Sequence, residues 1–112
     1  MYVAILVLKR EEYLTTLSSV LIECGLFEST VLDGEGLENI AGQSSELFRE
    51  LKGLFGKELI YNRTFVIHVP ERAMLDEFLE LCRREEIDFT KPDVGFLMAY
   101  PCEIFVGPEN TL

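Results

Sequence analysis

The sequence has no tryptophan, a single histidine and three cysteines with no C-x-x-C pair among them. One imidazole, His68, cannot furnish a histidine-rich metal centre without help from carboxylates or thiolates. Nor can it make the case for a Ser-His-Asp triad, since Ser44 and Ser45 stand in no fixed relation to it. Cys24, Cys82 and Cys102 are scattered, and an odd number outside any metal spacing reads as reduced thiols in a cytosolic protein. Cations are scarce as well: ten Lys and Arg stand against twenty Asp and Glu, for a net charge of −10. Such a surface repels phosphate backbones and anionic membranes, which argues against a nucleic-acid partner. The first apolar run, Tyr2–Leu8, is too short for a membrane span. It lacks preceding basic residues and a cleavage-site pattern, so it does not read as a signal peptide. A cytoplasmic protein with no membrane insertion is expected.

What is present suits one α+β domain over residues 1–112, because domains commonly run to about 100–150 residues. Val3–Leu8 is a continuous aliphatic run, as in a strand buried on both faces. Glu11–Cys24 then carries Leu14, Leu17, Leu21 and Cys24 at helical spacing, with Gly25 placed to close the helix. Ser29–Asp33 is a shorter, more polar strand. The same grammar returns with Phe65–Val69, a helix opened by Pro70 and running to about Arg84, and a strand over Gly95–Tyr100. A shift of 61 positions places Leu14 on Leu75, Leu17 on Phe78 and Leu21 on Cys82. Cys24 and Cys82 thereby read as inert core thiols. After Pro101, Glu103–Val106 is expected to pair at a sheet edge.

Strand-helix-strand twice over has one economical solution. Right-handed crossovers interleave the halves into a ferredoxin-like βαββαβ sandwich: a four-stranded antiparallel sheet, strands 1 and 3 central, both helices on one face. Alternation then puts Tyr2, Ala4, Leu6 and Leu8 on one side of strand 1 and Val3, Ile5 and Val7 on the other. Two helices cover one side only. An apolar face left bare usually marks an interface, so a homo-oligomer with facing sheets is expected, with a sheet covered by the insertion as the rival. If Leu6 belongs to the bare face, Leu6→Lys should dissociate or unfold the assembly.

Between strands 2 and 3 lies a long connection, Gly34–Asn62, and connections of this length are usually functional or disordered. Asp33-Gly34-Glu35-Gly36 opens it. Ser44 is placed to cap a short helix carrying Leu47, Phe48, Leu51, Leu54 and Phe55. That apolar face must dock on its own domain, a sister subunit or a partner.

In order and spacing of elements the chain resembles the PII-like (GlnB-like) signal-transduction superfamily. The resemblance runs from YVAILVLKREEYLTTLSSVLIECGL through TVLDGEGLENIAG to TFVIHVPERAMLDEFLELCRR and VGFLMAYPCEIFVG. It implies a non-enzymatic homotrimer, of the kind used in nitrogen regulation, with small-ligand clefts between subunits. It also implies that the 34–62 connection corresponds to a T-loop that reports ligand state to a protein partner. Gly34 and Gly36 match the glycines at the base of that loop, and the ligand site would involve Gly34, Glu35, Gly36 and Lys91. The CutA-like trimers, which share the architecture and handle metal ions, are the alternative.

The departures from the family pattern predict which ligands are refused. Leu37, Glu38 and Asn39 replace a basic residue and Gln-Lys-Gly. Ile87–Asp93 replaces the glycine-rich phosphate loop, and Ile104–Glu109 replaces the basic C-terminal pattern. No tyrosine marks a modified loop position. Asp33, Glu35, Glu38 and Asp93 crowd the inferred site, with Lys91 as the nearby cation in sequence, so ATP should bind no better than high micromolar. Asp33, Glu35 and Glu38 also have the chemistry to gather around a divalent cation, although a solvated acidic turn is the preferred reading and no cofactor is assigned. On strand 3, His68 points opposite Phe65, Ile67 and Val69, and a structural role is preferred there over a catalytic one.

Overall fold

The computed structural model describes residues 1–37, 40 and 61–108. The chain enters as β1 (Tyr2–Leu8), and a single 3-10 turn (Glu11–Tyr13) leads into α1 (Leu14–Glu23). Glu11 and Glu12 occupy that opening turn, where carboxylates meet the positive end of the helix dipole. Gly25 ends α1 at φ 76°, a conformation that costs glycine little, and the Leu26 N–H then closes on the Leu21 carbonyl at 2.9 Å. β2 (Ser29–Asp33), β3 (Arg63–Val69), α2 (Arg72–Arg84) and β4 (Gly95–Pro101) complete the described elements. Glu71 is extended at the N-cap position of α2, so Pro70 lies just outside the helix rather than in its first turn. Arg83 and Arg84 fill the last turn, complementing the negative end of the dipole.

The four strands form one antiparallel sheet in the order β2-β3-β1-β4, with the two most apolar strands central. This α+β arrangement is compatible with a ferredoxin-like fold. Register brings Leu6 between Phe65 on β3 and Leu97 on β4. Ala4, Leu6, Leu8, Phe65, Ile67 and Val69 are wholly buried on one face, packed with Leu17 and Leu21 of α1 and Leu75 and Phe78 of α2. Both helices therefore cover the same side. Leu6 belongs to this core, so it is not a residue of the bare face.

One expectation meets a different outcome. Glu103–Val106 forms no strand: β4 ends at Pro101, the Cys102 N–H still reaches the Met1 carbonyl at 3.0 Å, and the chain then leaves the edge. The Cys102 thiol donates to the Ile104 carbonyl at 3.1 Å, and Phe105 comes to rest on the sheet, its ring stacked on His68. The helix expected from Ser44 to Phe55 lies outside the described residues.

Cys24 and Cys82 are buried in the core, as helical spacing indicated. Burial pushes the Cys24 thiol up to about 11, with Glu77 and Glu23 adding to the effect. Burial likewise pushes the Cys82 thiol up to about 12. The thiolate is the reactive form, so both should be inert near neutral pH. A small thiol reagent at about pH 8 should therefore modify Cys102 at most in the native protein, and all three thiols after denaturation. Rapid native labelling of Cys24 or Cys82 would contradict the core assignment.

Candidate functional site

The base of the 34–62 connection sits where β2 ends and β3 begins. The Gly34 N–H donates to the Asn62 carbonyl at 3.0 Å, carrying the ladder one step past the strand pair. A Cβ at Gly34 would meet the Asn62 amide and crowd the Thr64 hydroxyl, so a larger residue here would have to displace the Asn62 side chain. Arg63 lies 3.0 Å from the Asp33 carboxylate, an exposed pair that adds under about 1 kcal/mol. Gly36 accepts from the Ile40 N–H at 3.2 Å. Glu35 is exposed beside it, and Glu38 and Asn39 lie outside the described residues. Beneath this corner, burial raises the Tyr61 phenol above its ordinary value while the neighbouring Arg63 guanidinium pulls it down.

Lys91 stands in the turn between α2 and β4. Its N–H donates to the Asp88 carbonyl at 3.1 Å, and the Asp88 carboxylate accepts from the Thr90 hydroxyl at 2.6 Å and the Thr90 N–H at 2.9 Å. Those Thr90 bonds hold the Asp88 carboxyl below the usual carboxylate range. This turn and Gly34 share one end of the sheet, since Asp33 pairs with Arg63, Arg63 with Leu8 and Leu8 with Gly95. They flank it on opposite sides. Three strand spacings separate them, about 14 Å. One subunit therefore does not bring Gly34, Glu35, Gly36 and Lys91 together into a single pocket.

Sequence neighbourhood missed the cations that β1 delivers to this end. Lys9 lies over the Phe96 ring at 5.9 Å, and Arg10 donates to the Asp93 carbonyl at 3.2 Å and lies 3.9 Å from Glu12. Arg10 and Arg63 are thus already engaged by carboxylates or carbonyls. A cleft of about 250 Å³ opens beside the same turn, where Asp76, Glu80 and Asp88 outnumber Arg83, itself paired with Glu80. That balance is wrong for polyphosphate. Among the described residues, no cluster of His, Cys, Asp or Glu is placed to hold a metal ion. No helix among them is long and apolar enough to cross a membrane.

The sheet face away from the helices is the more distinctive surface. Val3, Ile5 and Val7 of β1 align there with His68, Val66 and Thr64 of β3 and with Tyr100, Met98 and Phe96 of β4. Phe96, Met98 and Tyr100 remain 44%, 53% and 49% exposed. Their period-two spacing is visible in the sequence GFLMAYP. His68 occupies this face as alternation required. The Phe105 ring lies parallel to its imidazole at a centroid distance of 4.3 Å, a contact that no spacing rule anticipates.

Neither protein-family models nor curated protein sequences match this chain. The site at the sheet's end therefore stands on its own charges, and these predict weak nucleotide binding. Calorimetry with ATP and magnesium should give a dissociation constant no tighter than high micromolar. Low-micromolar binding would show that Lys9, Arg10 and Arg63 are released from their present partners to serve the ligand.

Proposed function

We propose that this chain is a PII-like, non-enzymatic regulatory protein built as a ferredoxin-like domain with a long insertion between β2 and β3. In this reading it assembles as a homotrimer and takes a small molecule in the clefts between subunits. The 34–62 connection carries the ligand state to a protein partner. The observation that carries the reading is the bare apolar sheet face, with Phe96, Met98 and Tyr100 each about half exposed. Covering such a half-exposed side chain gains about 1 kcal/mol, and a contiguous row of them usually marks an interface. A second observation fits the first. Gly34–Gly36 and Lys91 flank opposite sides of one sheet end, so a cleft using both must draw them from different copies.

Light scattering coupled to size exclusion should return about three times the chain mass for the natural protein at micromolar concentration. Met98→Lys should return the monomer mass with unchanged circular dichroism. Met98 is exposed in the single subunit, and only assembly would bury the new ammonium. A monomeric natural protein, or a trimer that survives this substitution, would contradict the proposal. Stoichiometric bound metal in the purified trimer would instead favour the metal-handling alternative.

A further inference from the structure

We propose that His68 makes assembly through the open sheet face pH-dependent: subunits associate while its imidazole is neutral and separate when it is protonated. The inference rests on the oligomer reading above and adds its regulation. His68 sits well inside the face, paired with Val3 of β1, beyond which lies Tyr100 of β4. Both ring nitrogens are inaccessible to water, and neither has a hydrogen-bond partner among the described residues. Protonation would add a second N–H donor and a full charge to a site with no acceptor for either.

The ionisable groups around the ring do not change this. Glu28, at the entry to β2, accepts the His68 backbone N–H through its carbonyl at 2.9 Å, and its carboxylate is exposed. The Met1 amine stands at the start of β1, Tyr100 is the ionisable group on β4, and Glu103 precedes Phe105 in the C-terminal segment. Arg63, on the histidine's own strand, lies at the far end beside Asp33. No hydrogen bond or ion pair joins any of these side chains to the imidazole among the described residues.

The covering group is shallowly held. Phe105 lies on the ring, while its neighbours Ile104 and Val106 are 79% and 92% exposed. In a lone subunit this segment can lift and admit water, so that the imidazole there can take up a proton. Beneath a second sheet it cannot lift, so each subunit must shed the proton to join. General electrostatics pushes the other way. A chain of net charge −10 repels its copies less as carboxylates protonate, so without His68 acidification should tighten assembly.

The test is sedimentation velocity at about pH 7.5 and about pH 5.5, at fixed ionic strength, on the natural protein, His68→Phe and His68→Gln. The natural protein should lose its oligomer at the lower pH while both variants keep theirs. An oligomer that persists in the natural protein at the lower pH overturns the inference alone, as does equal dissociation of the variants. A monomer at both pH values overturns the oligomer reading itself. Because His68 is the only histidine, its proton resonance gives a second readout that needs no variant. Its titration should coincide with the loss of mass, and titration inside an intact oligomer overturns the inference.

Discussion

A central strand, β1, that is apolar on both faces, in a sheet with helices enough to cover only one side, is the constraint from which the rest of this molecule follows. β1 spends Ala4, Leu6 and Leu8 on the core beneath α1 and α2, and β3 spends Phe65, Ile67 and Val69 there. Those residues suit the middle of the sheet, where each strand is paired along both edges and packed beneath both helices. β4 repeats the pattern at the edge. It offers Phe96, Met98 and Tyr100 to the open side, where a subunit by itself has little to cover them. The Phe105 ring covers His68 and leaves that row bare.

The same constraint shapes the proposed site. Crossing connections place the base of the 34–62 segment beside β2, at one margin of the sheet, and the Lys91 turn beside β4, at the other. A subunit that hides its open face against copies of itself brings such margins next to one another. The charges at that end also limit the ligand. Arg63 is held by Asp33 and Arg10 by the Asp93 carbonyl, and in the cleft beside the Lys91 turn three carboxylates stand against the one cation, Arg83. A neutral or cationic molecule suits this better than a polyphosphate.

Much of the fold was legible in the sequence because periodicity and capping are local. Helical spacing of Leu14, Leu17 and Leu21, and of Leu75, Phe78 and Cys82, identified both buried helix faces, and Gly25 marked a helix end. Aliphatic density in Val3–Leu8 and Phe65–Val69 identified the central strands. The site was less legible, because it depends on which strand ends become neighbours. Lys9 and Arg10 lie far in sequence from Asp93, yet the β1–β4 pairing sets them beside it. The C-terminal turn was not legible at all. Glu103–Val106 has strand-like composition, but Pro101 and the Cys102 contact to Ile104 take it off the edge.

The central claim is that the open face is covered in solution by copies of the chain. Hydroxyl-radical footprinting reads side-chain accessibility directly, and the molecule carries its own reference in Ile22, exposed on the helical side. Protection of Phe96, Met98 and Tyr100 well beyond their half-exposed state in a single subunit, with Ile22 freely modified, is the predicted result. Modification of the three at the rate that half exposure implies, at micromolar concentration, would contradict it.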